Sequence, residues 1–239
     1  MSDQNADLIR AMGDDPAMKQ LRTDFLRETS KWKYTYHFSW LGVPVIQAPQ
    51  DIVAIQELIW EVKPDLIVET GVAHGGSLVL SASMLELLGG DRQVVGIDID
   101  IRPHNREVIE AHPLASRIVL IEGSSIDEAV IEQVREIAST RRRVMVMLDS
   151  NHTHEHVRTE LDLYSPLVKS GSYLVVYDTA IEDMPEDFFP NRPWSKERNP
   201  ASAVREFLAV NDRFLVEKEI ESKLVITVAP GGYLKCVKD

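Results

Sequence analysis

The sequence predicts an α/β protein whose mostly parallel sheet is covered by helices on both faces. The main observation is an alternation of short apolar strands with helical segments from residue 64 to residue 179. The strands are continuous runs of Val, Ile and Leu, as expected for parallel strands that are buried on both faces. The pattern changes near the C-terminus, where "FLVEKEI", "KLVITVA" and "YLKCVK" surround "PGG" and predict strands with an antiparallel C-terminal hairpin.

Five strands and four helices build the parallel part of the predicted sheet. The apolar runs are too short for helices and indicate buried strands. The strands are expected at "LIVET", "QVVGID", "RIVLIEG", "RVMVMLD" and "SYLVVYD". The helices between them are expected at residues 77–88, 104–111, 126–140 and 154–167.

Residues 1–50 have a different pattern and predict an N-terminal helical and aromatic extension to a main domain of residues 51–239. Residues 1–30 predict two short helices separated at "GDDP". A helix with Asp51 as its N-cap should open the main domain.

An aromatic segment ends the extension, and its aromatic residues alternate with other residues as on a strand with one apolar face. The first interpretation is that this segment packs in the core or between subunits of a homo-oligomer. The second is that it stacks on a sugar or covers the site. The residues concerned are Trp32, Tyr34, Tyr36, Phe38 and Trp40.

A proline-rich segment without periodicity, residues 180–200, follows the fifth strand. Loops of this length in compact domains are uncommon and usually form lids or disordered segments. Phe188, Phe189 and Trp194 lie in this segment and are therefore candidates for a lid over a site at the end of the fifth strand.

The composition excludes several classes of function. The formal net charge is −12, from 26 basic and 38 acidic residues, which opposes binding to nucleic acid or to an anionic membrane. The one cysteine, Cys236, excludes an intrachain disulfide and is expected to be a buried strand residue. The acidic N-terminus is no secretory signal, and no apolar run approaches the ~20 residues of a membrane span. We therefore expect a cytoplasmic protein.

The carboxyl ends of the five strands carry polar residues. Ligands of open α/β sheets bind outside these ends. A polar residue at the end of one strand can simply mark a loop. Polar residues at the ends of all five strands predict instead that these ends form a single ligand site. The ends are Glu69-Thr70-Gly71, Asp98, Gly123-Ser124-Ser125, Asp149-Ser150-Asn151-His152 and Tyr177-Asp178-Thr179.

The turn after the first strand, "ETGVAHGGS", indicates the kind of cofactor. Gly71 and Gly75 allow a ligand to approach the backbone, but the G-x-G-x-x-G spacing of dinucleotide sites is absent because Ala occupies position 73. A carboxylate before the first glycine, Glu69, suits a ligand that carries an amino group or a positive charge. Asp98 is placed to bind both hydroxyls of a ribose. An ammonium group and a ribose together predict S-adenosylmethionine.

These motifs also resemble a known family. E-x-G-x-x-x-G-x-S, "GID", "GSS-x-D" and the strand-ending aspartates resemble metal-dependent class I O-methyltransferases of the catechol type. More closely, "WLGVPVIQAPQDI" and "GIDIDIRPHN" are similar to the cephalosporin hydroxylase family, which includes sugar O-methyltransferases of the rhamnosyl type. The similarity runs from about Trp32 to Lys238. It implies a Rossmann-like class I methyltransferase sandwich that uses S-adenosylmethionine and Mg²⁺.

The resemblance also implies roles for individual residues. Asp149 and Asp178 would be acidic ligands of Mg²⁺, with Thr179 where the catechol-type enzymes have an amide ligand. Tyr177 stands where the antibiotic-type relative has a glutamate, so the third protein ligand stays open and water can complete the coordination. The cofactor would be lined by Glu69, Gly71, His74, Gly75, Ser77, Asp98, Ser124, Ser125 and Asp149.

The implied chemistry is transfer of a methyl group from S-adenosylmethionine to a hydroxyl of a sugar or glycosylated acceptor. A hydroxyl needs a metal that lowers its pKa and a base that accepts its proton. His152 lies three residues after Asp149, where the catechol-type enzymes have a basic lysine, and it is the candidate base. Asp149, as an implied ligand of the metal that lowers the pKa of the hydroxyl, is assigned to catalysis together with His152.

Several alternatives compete with this hypothesis. The acceptor could be a phenol, as in the catechol-type enzymes, or an antibiotic nucleus. The histidines of "NHTHEH" could hold zinc, or His152 and Asp149 could form part of a non-haem iron site. A cofactor-binding module without catalysis is a further alternative, although binding alone does not need paired metal ligands.

Overall fold

A seven-stranded sheet forms the centre of this computed structural model, which describes residues 3–239. Its strands are β3 (Leu66–Thr70), β4 (Gln93–Asp98), β5 (Ile118–Glu122), β6 (Val144–Leu148), β7 (Tyr173–Val176), β8 (Phe214–Val216) and β9 (Tyr233–Cys236), preceded in the chain by a small antiparallel pair of β1 (Phe38–Trp40) and β2 (Val43–Val45). The seven strands lie in the order β5-β4-β3-β6-β7-β9-β8, and the first five are parallel. Strand β9 is antiparallel to both of its neighbours.

Helices cover both faces of the sheet, with one apolar cluster on each face. The central strands β3 and β6 are buried along their whole length, which explains their unbroken apolar sequences. None of the helices in residues 3–239 is long and apolar enough to cross a membrane. The helices are α1 (Asp3–Asp14), α2 (Pro16–Ser30), α3 (Pro49–Val62), α4 (Gly76–Leu88), α5 (Pro103–Glu110), α6 (Glu128–Ser139), α7 (His154–Tyr164), α8 (Pro200–Val210) and α9 (Lys218–Leu224).

The predicted parallel core is confirmed. All five predicted strands are present, and the four helices between them begin within two residues of the predicted positions. The two N-terminal helices are also present and meet at Asp15, whose side chain accepts a hydrogen bond from the backbone N–H of Ala17. Cys236 is a buried strand residue, as predicted.

The C-terminal strands are antiparallel as predicted, but they do not form the predicted hairpin. The segment "KLVITVA", residues 223–229, is not a strand, because its first two residues end helix α9 and the rest is loop. Strands β8 and β9 are therefore adjacent in the sheet but are joined by a helix and a loop. Helix α8 was not predicted, although Asn199 and Ser202 form a capping box at its start.

The aromatic segment is not one continuous strand. Only Phe38–Trp40 form a strand, which pairs with β2, while Tyr34–Tyr36 form a 3₁₀ turn. The rings of Phe25, Tyr34 and Phe38 pack edge to face at 5.4 and 5.1 Å between successive centroids. This stacking ties helix α2 to the strand pair.

Asp51 is not the N-cap of helix α3, which begins at Pro49 after Ala48. Its buried carboxylate instead accepts hydrogen bonds from the Thr227 hydroxyl (2.5 Å), the Tyr233 hydroxyl (2.7 Å) and the backbone N–H of Val228 (2.9 Å). Burial raises the pKa of Asp51 to about 6. The three hydrogen bonds hold the loop before β9 against α3, so "KLVITVA" is not free to pair as a strand.

We predict that Asp51→Ala lowers the free energy of unfolding by about 3 kcal/mol, because it leaves buried donors without an acceptor. Asp65 provides a matched control, since its exposed carboxylate accepts two backbone N–H groups, from Arg142 and Arg143. Asp65→Ala should cost about 1 kcal/mol, because water can replace the lost acceptor. Urea denaturation of both variants measures the difference. Equal losses would contradict a special role for the buried carboxylate.

Candidate active site

The turn between β3 and α4 is shaped by glycines. Gly71 and Gly75 have φ angles of +94° and +90°, which favour glycine. A Cβ atom on Gly71 would collide with the backbone carbonyl of Asp149. The turn therefore passes directly against the end of β6, and this contact places the predicted cofactor turn beside the predicted metal ligand.

A buried carboxylate lies beneath the turn. Glu69 is 2% exposed, and one of its oxygens accepts a hydrogen bond from the Ser77 hydroxyl. Its other oxygen, Oε2, is buried without a hydrogen-bond partner. Burial raises the pKa of Glu69 to about 7. A carboxylate with a free, buried oxygen is suited to bind a positively charged group.

Asp98 has a second role that the sequence did not predict. Its Oδ2 accepts hydrogen bonds from the backbone N–H groups of Val72 (2.8 Å) and Ala73 (3.3 Å). Its Oδ1 accepts one from Asp100 N–H at 3.1 Å. Asp98 thus holds the glycine turn in place. A ribose could use the lone pairs that remain on the two oxygens.

Asn105 is a residue of the site that sequence reasoning missed. It lies on helix α5, donates a hydrogen bond to the Ala73 carbonyl at 2.7 Å, and its Oδ1 lies 3.4 Å from Nδ1 of His74. It therefore binds the same turn that Asp98 holds. It ends the quoted run "GIDIDIRPHN", but no role could be assigned to it from the sequence, because that role depends on a contact between distant segments.

Three potential metal ligands meet at the ends of β6 and β7. Asp149, His152 and Asp178 each offer a ligand atom, and these atoms lie within 4.8 Å of one another. Nε2 of His152 is 3.2 Å from Oδ2 of Asp178, and Gln47 donates a hydrogen bond to Asp149 at 3.0 Å. Burial, and then the charge of Asp178, raise the pKa of Asp149 well above its usual value. Mg²⁺ prefers oxygen ligands, so the two carboxylates fit a divalent cation.

The neighbouring residues Tyr177 and Thr179 are less suited to bind a metal. Thr179 is buried, its hydroxyl donates a hydrogen bond to the Pro230 carbonyl at 2.8 Å, and it does not line the cavity. Tyr177 is also buried, and its hydroxyl lies 3.9 Å from Sδ of Met147. The assignment of Thr179 as a metal ligand therefore stays a prediction.

A cavity of about 370 Å³ opens above the three ligands. Its charged lining consists of Asp149, His152 and Asp178, and no Lys or Arg of residues 3–239 lines it. The remaining lining is mostly apolar and aromatic and comes from the N-terminal extension and from the segment after β7: Leu26, Tyr34, Tyr36, Ile46, Ile181, Met184, Phe188 and Phe189.

The segment after β7 also covers His152. The ring of Trp194 packs edge to face against the His152 imidazole at 4.8 Å between centroids, and Phe189 packs against Trp194 at 6.1 Å. The indole nitrogen of Trp194 is buried without a hydrogen-bond partner. These contacts fit the lid role that the sequence suggested for this segment.

The site as a whole carries uncompensated negative charge. Five carboxylates lie on or near it, and in the part of the chain that is described none of them is paired with a Lys or Arg; the basic side chains within 4 Å of them are those of His152 and His156. The charges of the others contribute to the raised pKa of Asp149. The site therefore favours cationic ligands. The carboxylates belong to Asp51, Glu69, Asp149, Glu160 and Asp178.

The histidines of "NHTHEH" do not converge. His154 contacts Ser202 (2.7 Å) and Glu206 (3.0 Å) on helix α8, whereas His156 contacts Ser125 at 2.9 Å. Within residues 3–239, the one cluster able to hold a metal contains His152 alone among these histidines. The geometry therefore gives no support to a zinc site made of the three histidines.

The chain is similar in sequence to known O-methyltransferases. A family model described as Rhamnosyl O-methyltransferase/CmcI matches residues 32–237. A rhamnosyl O-methyltransferase of Mycobacterium bovis (strain BCG / Pasteur 1173P2) is 29% identical over 221 residues, which cover 87% of this chain and 83% of the relative. One of Mycobacterium leprae (strain TN) is 30% identical over 166 residues, which cover 66% of this chain and 69% of the relative.

Solved structures agree on the fold. The chain is similar to the Mg- and SAM-bound structure of CmcI, with a TM-score of 0.59 and 22% identity over 84% of this chain and 77% of that one. It is also similar to an O-methyltransferase from Bacillus cereus in complex with SAH, with a TM-score of 0.54 and 14% identity over 94% and 92% of the two chains. At these identities the likeness establishes the class I methyltransferase fold.

The fold and the sequence relatives together define an S-adenosylmethionine-dependent O-methyltransferase. The chain belongs to the Rhamnosyl O-methyltransferase/CmcI family, whose model covers most of its length. The resemblance to the cephalosporin hydroxylase family and the predicted enzyme class are thereby confirmed.

We predict that affinity for S-adenosylmethionine rises as the pH rises through about 7, the raised pKa of Glu69. Below that pH the carboxyl is protonated and cannot pair with the ammonium group of the ligand, whereas above it the carboxylate can. Isothermal titration calorimetry from pH 6 to pH 8.5 would measure the change. Glu69→Gln should bind more weakly at pH 8.5 and lose most of the pH dependence. An unchanged dependence in that variant would contradict the assignment.

Proposed function

We propose that the protein transfers the methyl group of S-adenosylmethionine to a hydroxyl of a sugar or glycosylated acceptor, with Mg²⁺ as cofactor. The observation that carries the proposal is the cavity of about 370 Å³ in which Asp149, His152 and Asp178 meet beside the glycine turn. The rhamnosyl acceptor class is suggested by the names of the mycobacterial relatives.

The proposed cofactor site combines groups of matching chemistry. The free oxygen of Glu69 suits the ammonium group, and Asp98 suits the ribose hydroxyls. Gly71 and Gly75 allow the ligand to approach the backbone. Ser124 and Ser125 follow β5, beside the strand that ends at Asp98, where they would border the adenine. The full proposed set is Glu69, Gly71, His74, Gly75, Ser77, Asp98, Ser124, Ser125 and Asp149.

Asp149 and Asp178 would hold Mg²⁺, with water completing its coordination. A divalent cation there supplies Lewis acidity that lowers the pKa of an acceptor hydroxyl, and S-adenosylmethionine supplies the methyl group. His152 accepts the hydroxyl proton. Its Nε2 lies 3.2 Å from Oδ2 of Asp178, so the carboxylate would stabilise the positive charge that the imidazole gains with the proton.

The remaining walls of the cavity would select the acceptor. Aromatic rings from Tyr34, Tyr36, Phe188 and Phe189 line it, and such rings pack well against the C–H faces of a sugar. The absence of Lys and Arg from the lining, in residues 3–239, favours an uncharged acceptor. We therefore assign residues 1–50 to the acceptor side of the site, since helix α2 and the aromatic segment supply much of this wall.

We predict that Asp149→Asn and Asp178→Asn each lower kcat at least about a hundredfold, because the variants lose a metal ligand. Binding of S-adenosylmethionine should be retained, more completely in Asp178→Asn, because Asp149 also borders the cofactor. The exposed Asp187, in the segment after β7, gives the control Asp187→Asn, which should be close to wild type. Activity assays at several Mg²⁺ concentrations and calorimetry would separate the two effects. Full activity of either site variant would contradict the metal assignment.

We predict that acceptor screening finds methylation of alkyl or aryl rhamnosides and related deoxysugar glycosides, and that EDTA abolishes it. Catechols, phenols and NAD serve as controls, NAD in a binding assay. Turnover of catechols without turnover of any glycoside would favour the phenol alternative. Binding of neither S-adenosylmethionine nor its demethylated product would contradict the function as a whole.

A further inference from the structure

Helix α7 presents a polar stripe to the carboxyl edge of the sheet. His156, Glu160 and Tyr164 are spaced by four residues and therefore lie on one face of the helix. Glu160 and Tyr164 are fully buried, and the His156 side chain is 17% exposed. A buried polar stripe on a helix needs polar partners, and those partners identify its role.

Two residues of the stripe hold Ser125. Nε2 of His156 lies 2.9 Å from the Ser125 hydroxyl, and the Tyr164 hydroxyl donates a hydrogen bond to the Ser125 carbonyl at 2.8 Å. Ser125 is itself 5% exposed. Helix α7 thus fixes both the side chain and the backbone of the loop after β5.

The stripe also holds Ser150, which follows Asp149 at the end of β6. The Ser150 hydroxyl donates a hydrogen bond to Glu160 at 2.7 Å and lies 3.2 Å from Nε2 of His156. Strands β5 and β6 are not adjacent, because β4 and β3 lie between them. The His156 imidazole therefore joins two loops that come from opposite sides of the strands carrying Asp98 and Glu69.

Glu160 favours one of the two tautomers of the His156 imidazole. Its Oε1 lies 3.5 Å from Nε2 of His156, and its Oε2 is buried without a partner. A neighbouring carboxylate stabilises the tautomer that carries the proton on Nε2. That N–H can donate to Ser125, so the hydroxyl hydrogen of Ser125 stays free to donate to a ring nitrogen of a ligand.

We propose that His156 is a positioning residue for the adenosine half of the cofactor. It fixes the distance between the loops at Ser125 and Ser150 and directs the Ser125 hydroxyl toward the ligand. The inference rests on the proposed function, which places Ser124 and Ser125 beside the adenine. It gives a role to a histidine of "NHTHEH" that touches neither the metal ligands nor the acceptor cavity.

His154 provides a matched control on the same helix. Its imidazole is also held between a serine and a glutamate, with Ser202 at 2.7 Å and Glu206 at 3.0 Å. Its side chain is 9% exposed. However, its partners belong to helix α8 and not to a strand end. If both histidines had only a structural role, His156→Ala and His154→Ala would weaken ligand binding to the same extent.

The test measures binding of S-adenosylhomocysteine and of 5′-methylthioadenosine, which lacks the amino-acid half, by isothermal titration calorimetry. His156→Ala should raise Kd for both ligands about tenfold, the scale of one hydrogen bond. His156→Gln should recover much of the affinity, because its amide nitrogen can reach the position of Nε2. His154→Ala should leave both values near wild type. In kinetics, KM for S-adenosylmethionine should rise by a larger factor than kcat falls.

Several outcomes would overturn the inference. Equal losses in His156→Ala and His154→Ala, or weaker binding of S-adenosylhomocysteine with unchanged binding of 5′-methylthioadenosine, would contradict it. If His156→Ala does not fold, as judged by thermal unfolding, a double-mutant cycle of His156→Asn with Ser125→Ala replaces it, because the shorter Asn amide cannot reach the position of Nε2; additive effects would then refute the coupling. Failure of the wild-type protein to bind either ligand would instead overturn the proposed function and this inference with it.

Discussion

The close approach of Gly71 to the backbone of Asp149 is the constraint on which the site depends. Three strand ends meet there, because Asp149 N–H donates to the Thr70 carbonyl at 2.9 Å and Gly71 N–H donates to the Ile97 carbonyl at 2.7 Å. A side chain on Gly71 would separate the strands. The proposed cofactor turn and the proposed metal ligand Asp149 are thus brought together by backbone packing. A methyl donor and an activated hydroxyl need this proximity, since transfer requires the two reacting groups in contact.

The raised pKa values of its buried carboxyl groups make the site less favourable for folding near neutral pH than at low pH. Burial raises the pKa of Asp51 to about 6 and of Glu69 to about 7, above the values of unfolded carboxyl groups. A carboxyl group whose pKa is higher in the folded state than in the unfolded state binds its proton more tightly in the folded state. These two groups therefore lower the free energy of unfolding as the pH rises from about 4 to about 7. Cations remove this penalty near neutral pH. Binding of the proposed Mg²⁺ and of the cationic cofactor should therefore stabilise the fold.

The parallel core could be predicted because each of its elements carries its own periodic signal. The meeting of Asp149 with Asp178 followed from the rule that parallel strands present their carboxyl ends at one edge, and β6 and β7 are indeed neighbours. The C-terminal segment was predicted wrongly for a different reason. "KLVITVA" has the composition of a strand, but Asp51 binds Thr227 and Val228 from 176 and 177 residues away. A single buried carboxylate outweighed local propensity there, and no local pattern reveals such a contact.

The site also combines elements that have a local sequence pattern with segments that are positioned by long-range contacts. The residues proposed for the cofactor and the metal end regular strands, where position follows from the sheet. The residues that enclose the acceptor cavity lie in the aromatic segment and in the segment after β7, where position follows from individual contacts such as Trp194 on His152. Such segments can change without disturbing the sheet. In the proposed function the scaffold therefore sets the transferred group, whereas two segments outside the sheet, the aromatic segment and the segment after β7, set the acceptor.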